Sequence, residues 1–176
     1  MGNVHGRMTG LTLFTPIRPQ WVWFLRVGLP LTRHLQFMKQ HILQFNFIKF
    51  VRWTVVPGLD GEKLHHSYLF FESNFDGPWQ HYIDAFAYVI PLDIRITWGR
   101  GPGFPAPPPA EPLKAWIAMN SMDGGTYSCA HADESTRMVN NALRVKEQFA
   151  SLDPDLPPDE FKAAWARFLT DAQAQL

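Results

Sequence analysis

Arg52 and Glu72 are the two side chains of this sequence best suited to work as a pair. Arg52 stands in the run Phe47-Ile-Lys-Phe-Val-Arg-Trp-Thr-Val-Val56, and Glu72 in His66-Ser-Tyr-Leu-Phe-Phe-Glu-Ser73. Both runs are rich in β-branched and aromatic residues, so both are expected to be strands. A guanidinium among apolar neighbours needs a carboxylate or an anionic ligand. Glu72 on the neighbouring strand can supply the carboxylate, which makes a structural ion pair the first expectation. The alternative is an anion-binding or catalytic pair, with a partly buried Glu72 as base. Glu72 also opens Glu72-Ser-Asn-Phe-Asp76, expected to be a strand-to-helix loop at the mouth of a cavity. There Asn74 and Asp76 have the chemistry to make the turn and cap the helix.

The seven histidines are His5, His34, His41, His65, His66, His81 and His131. None stands in His-Glu-x-x-His or Cys-x-x-Cys-His spacing, so no metal site is expected. A haem would need one imidazole facing a large apolar cavity, and His131 or His81 would have to provide it. Tyr127 and Trp98 are expected to pack rather than to carry electrons. The single cysteine, Cys129, excludes an internal disulfide and is expected as a small buried hydrophobe in a strand. Gly99-Arg-Gly-Pro-Gly103 is no phosphate loop, because proline removes backbone donors, and no serine nucleophile elbow is present. The catalytic candidates are therefore Arg52, Glu72 and His131. The ligand-binding candidates are Trp53, Phe70, Asn74 and Trp98.

The elements that must position these residues follow from periodicity. Leu11 to Ile17 alternates and forms a strand; Trp21 to Leu29 is apolar and hard to assign. Beyond Pro30, the positions Leu31, Leu35, Met38, Ile42 and Phe45 make one helical stripe. The strands Phe47–Val56 and His66–Ser73, joined by Pro57-Gly-Leu-Asp-Gly61, should pair antiparallel. Asn74-Phe-Asp-Gly-Pro78 opens a helix whose stripe is Trp79, Ile83, Phe86 and Ile90. Asp93–Trp98 is a short strand or a helical extension, and Gly99–Pro112 a stiff connector. Ala115–Met119 and Thr126–His131 are expected strands. Helices follow at about 136–151 and 159–173, the last with Phe161, Trp165, Phe168 and Leu169 on one face.

The order β-α-β-β-α-β followed by helices is that of an α+β, ferredoxin-like core with an antiparallel sheet. The expected organisation is a domain over 1–152 and a helical extension over 153–176. Helices cover one face of such a sheet, so apolar residues on both faces of the middle strands favour a homodimer.

Charge is lopsided along the chain. Arg7, Arg18, Arg26, Arg33, Lys39, Lys49 and Arg52 precede the first acid, Asp60, although the net charge is zero. Neutralisation by the rest of the fold is the simpler reading. An anionic membrane surface meeting residues 18–52, where Trp21, Trp23, Phe24 and Phe37 accompany the cations, is the other. No apolar stretch reaches the length of a membrane span, and Met1–Gly10 lacks the apolar region of a signal peptide. The expected location is a reducing cytoplasm. No nucleic-acid-binding motif occurs, and no nucleic-acid partner is expected.

Three phrases carry a resemblance: Phe50-Val-Arg-Trp53, Leu69-Phe-Phe-Glu-Ser-Asn-Phe-Asp-Gly77, and Ile96-Thr-Trp-Gly99 leading into Gly103-Phe-Pro105. Over about Leu11 to Ala150 the chain resembles small bacterial proteins of the dimeric α+β barrel type, some associated with peroxidases or oxygenases. Their tyrosine-proline near the fifth strand is His131-Ala132 here. The resemblance implies the fold and the dimer rather than a reaction.

The leading functional expectation is a homodimer holding a hydrophobic or lipid-like small molecule, with catalysis left open. One alternative is an oxygenase- or peroxidase-like enzyme with haem as cofactor. The other is a peripheral subunit of a membrane-associated complex.

Overall fold

The computed structural model describes residues 3–32, 44–59, 62–123 and 126–174. The protein is α+β, with an antiparallel sheet and six α-helices among these residues. Backbone contacts divide the chain into two compact units, Met1–Asp133 and Glu134–Leu176.

The first unit holds the sheet. Strands β1 (Asn3–His5), β2 (Met8–Ile17), β3 (Ile48–Leu59), β4 (Glu62–Asp76) and β5 (Ser121–Met122) pair antiparallel throughout. The order is β1-β2-β4-β3, and β5 also pairs with β2. Between β2 and β3 lies α1 (Val22–Thr32), preceded by a short 3-10 turn at Pro19–Trp21. Pro30, expected to break the chain, lies inside α1. The helical stripe expected beyond it falls mostly on residues outside those described; of its members, Phe45 is buried against Phe86 with ring centroids 5.4 Å apart. After β4 come α2 (Trp79–Val89), α3 (Pro91–Trp98) and α4 (Ala110–Asn120).

From Leu11 in β2 and from Tyr68 in β4, burial alternates residue by residue. Leu11, Leu13, Ile17, Leu69, Phe71 and Phe75 point to one face and are buried. Against them pack Leu25 of α1, Ile83 and Phe86 of α2, Ile94 and Trp98 of α3, and Leu113, Trp116 and Ile117 of α4. Most of the hydrophobic stabilisation lies here, at roughly 25 cal/mol for each Å² of apolar surface removed from water. Tyr82 of α2 is locked into this core. Its ring stacks on Phe75 at 4.0 Å, and its hydroxyl donates to Ser73 Oγ at 2.8 Å. Ser73 Oγ in turn donates to the Phe50 carbonyl at 3.0 Å. Burial pushes the Tyr82 phenol well above its ordinary pKa, and the bond to Ser73 opposes that rise. Lys114 of α4 bonds Asp84 of α2 at 2.7 Å and Glu111 at 2.8 Å. The bond to Asp84 is the main reason its pKa is raised.

Several sequence expectations need correction. Glu72–Asp76 is not a loop: every residue of it pairs with β2, from Thr12↔Glu72 to Met8↔Asp76. The strand's own hydrogen bonds satisfy this backbone, so Asp76 does not cap α2. Pro78 holds the N-cap position without a side-chain bond, after Gly77 at φ 88. Lys49 approaches Asp76 at 4.0 Å instead. Ala115–Met119 is the middle of α4, because Ala110, Leu113, Trp116 and Ile117 bury one helical face. Thr126–His131 forms no strand among its residues; β5 is confined to Ser121–Met122. Cys129 therefore lies half-buried in a loop. Asp93–Trp98 resolves as α3.

The second unit is a helical pair, α5 (Thr136–Ala150) and α6 (Pro158–Gln173), close to the expected spans. Ser135 Oγ caps α5 by accepting from the Met138 amide at 3.1 Å. Phe149 meets Trp165 and Phe168 at centroid distances of 6.2 and 5.8 Å.

Candidate functional site

The strands place two chemically different surfaces around Arg52. The first is the sheet face opposite α1, α2, α3 and α4. Its register aligns four rows: Gly10–Asn74–Phe50, Thr12–Glu72–Arg52, Phe14–Phe70–Thr54 and Pro16–Tyr68–Val56. Period-two alternation puts these residues on one side and the core residues on the other. Arg52 Nη2 donates to Glu72 Oε2 at 2.8 Å, so the ion pair expected from sequence is present. The guanidinium also lies over the Phe70 and Phe50 rings, 5.4 and 6.0 Å from their centroids. Phe14 stacks on Tyr68 at 4.5 Å. This aromatic face is only half covered, and Phe50 is 42% exposed. The Arg52 side chain is 59% exposed, so the pair contributes little to stability by itself, about 0–1 kcal/mol.

One end of this face is roofed by the loop 126–133. The Cys129 amide donates to His5 Nδ1 at 3.0 Å, and the Arg7 amide to the Ala132 carbonyl at 2.8 Å. The Tyr127 ring lies on Gly10: a Cβ there would sit 2.9 Å from Tyr127 Cε2 and 3.3 Å from Asn74 Oδ1. Partial burial raises the Tyr127 phenol pKa, and negative charge at Cys129 and Glu72 adds to the rise. Tyr127, Gly10 and His5 were absent from the sequence-derived site. Gly10 inside an alternating strand was the available signal, since a strand glycine often marks a close approach.

The second surface is a groove of about 570 Å³ where α1 meets the β3 edge. It is lined by Leu25, Arg26, Leu29 and Pro30 from the helix and by Val51 to Val55 from the strand. Arg52 thus borders both the groove and the open face. Trp53 lines the groove and stacks on Phe71 at 6.4 Å.

The candidate residues therefore divide. Arg52, Glu72, Phe70 and Asn74 share the open face. Trp53 turns to the helical side, as does Trp98, whose ring meets Phe71 at 5.1 Å. Trp98 Nε1 is buried without a hydrogen-bond partner among the described residues. The gap it borders with Phe71, Tyr82, Phe86 and Trp116 measures about 10 Å³, one water's worth and too small for an organic ligand. His131 is exposed in the roofing loop, and His81 is exposed on α2. Neither lines the groove or that gap. Among the described residues, no group of three or more His, Cys, Asp or Glu is placed to hold a metal ion.

Comparison with protein-family models, with curated proteins and with solved structures finds no match to this chain. The resemblance to dimeric α+β barrel proteins accordingly rests on its three sequence phrases.

Proposed function

We propose that the protein is a homodimer of ferredoxin-like subunits that binds a hydrophobic, lipid-like small molecule in the groove between α1 and β3. The groove is the observation that carries this reading. Its volume falls in the range of small-molecule sites, and its wall sets the apolar side chains of Leu25, Leu29, Val51 and Val55 beside polar surface of about equal extent. Arg26 is the cation of the helical wall, while Arg52 lines the strand side with its guanidinium turned to Glu72 on the open face. An amphiphile with an anionic head would lay its chain on Leu25, Leu29, Val51 and Val55 and its head against the Arg26 guanidinium.

The subunit arrangement has separate support. The order β5-β2-β4-β3, with helices between β2 and β3 and between β4 and β5, agrees with a ferredoxin-like core. The open face offers Phe14, Tyr68, Phe70 and Phe50 around one Arg52–Glu72 pair. A two-fold axis over that face would set these aromatic and ionic groups against their own copies, as an isologous interface does.

Titration with a fluorescent fatty acid tests the ligand reading. Saturable binding is expected, weakened at least about tenfold in Arg26→Ala through loss of charge-assisted bonds. Absence of binding, or binding indifferent to that variant, would refute it.

A further inference from the structure

α1 presents apolar residues on two opposite sides. Leu25 is buried against the sheet. On the other side Trp23, Val27 and Leu31 stand four residues apart and are 66%, 63% and 55% exposed. Three large apolar side chains in one outward row are more than the scattered singles a soluble surface carries. Cations border the row. Arg18 and Arg26 are exposed, and the exposed Arg100 lays its guanidinium 4.1 Å from the Trp21 ring centre. No acid occurs anywhere in residues 1–59, while Arg33 and Lys39 follow α1 in the chain. Of the seven cations in that third, Lys49 and Arg52 meet carboxylates of β4.

We infer that the outward side of α1 is a docking surface for an anionic lipid bilayer. Charge complementarity selects this occupant. An apolar row on a helix flanked in sequence by cations and no acid matches the boundary between acyl chains and acidic headgroups, with the helix lying in the plane of the surface. Trp23 would sit at headgroup level, where indole rings concentrate. Among the described residues no helix is long and apolar enough to cross a membrane, so contact would be peripheral. The inference does not rest on the groove, because Arg18, Trp23 and Val27 lie outside its lining.

Cosedimentation of the full chain with vesicles tests it. Phosphatidylcholine vesicles containing phosphatidylglycerol should bind at low salt and release the protein at high salt, and pure phosphatidylcholine should bind far less. Trp23→Ala should lower the partition coefficient about tenfold through lost apolar burial, and Arg18→Gln about fivefold. Both positions are exposed, so the circular dichroism of the variants should be unchanged. Failure to bind acidic vesicles, or equal binding of both vesicle types unaffected by Trp23→Ala, would overturn the inference. So would a Trp23→Ala variant that changes subunit number but not vesicle binding, since the row would then be a protein interface.

Discussion

Replacing Tyr82 and Ser73 separately and together probes the link that holds the candidate site in register. Tyr82 is 1% exposed and Ser73 fully buried, and their bond joins α2 to β4. Ser73 then ties β4 to the Phe50 carbonyl, beside the irregularity in pairing between Ile48 and Phe50. Tyr82→Phe keeps the ring contacts with Phe75 and Phe86 and deletes one neutral hydrogen bond, a loss of about 1 kcal/mol. Ser73→Ala costs more. It strands a buried phenol donor and removes a bond to a strand carbonyl, together about 2–3 kcal/mol. The double variant removes the stranded donor as well, so it should be no less stable than Ser73→Ala alone. The sum of the single effects should overshoot the double by about 1 kcal/mol, the signature of residues in one network. Urea denaturation followed by circular dichroism measures all three. A Ser73→Ala variant within about 0.5 kcal/mol of the parent, or strict additivity, would refute the network and with it the anchoring of Phe50 on the open face.

Three further outcomes are expected. Because burial raises the Tyr82 pKa in the folded state, its contribution is complete below the unfolded phenol value of about 10. Above that pH stability should fall by up to about 1.4 kcal/mol per unit, and Tyr82→Phe should remove that share of the slope, read as denaturation midpoints against pH. Gly10→Val must displace the Tyr127 ring, which stands 2.9 Å from the added Cβ; a loss of about 1–3 kcal/mol in thermal unfolding is expected. Arg52→Ala should change subunit stability by less than about 1 kcal/mol in the same assay, because its ion pair is exposed.

How much was legible follows from where each signal lies. Strand alternation in Leu11–Ile17 and Leu69–Ser73 exposed the two central strands, and helical spacing placed α2, α5 and α6 within a residue or two. The Arg52–Glu72 pair was legible because both stand in strands joined by a short connection, which fixes them as neighbours. α4 was lost because Ala115–Met119 was taken without Leu113, whose spacing to Trp116 and Ile117 is helical. Pro112 reinforced the error, although proline in a first turn forfeits no helical bond. Glu72–Asp76 looked like a loop from its polar residues, yet Ser73 and Phe75 face the core while Glu72 and Asn74 face out. That alternation is the strand signal. The roof of Tyr127 over Gly10 joins residues far apart in sequence, and only the glycine hinted at it. Trp53 and Trp98 were grouped with Phe70 and Asn74 by residue type, but one-residue parity sends Trp53 to the opposite face.

The subunit number bears most directly on the whole account, since the proposed homodimer would cover the half-exposed aromatic sheet face. Native mass spectrometry of the purified chain, of 20.2 kDa, should give a species of two subunits with added organic mass, and Phe70→Asp should collapse it to single subunits. A parent protein found only as single subunits without bound mass would contradict both the pairing across the sheet and the occupied groove.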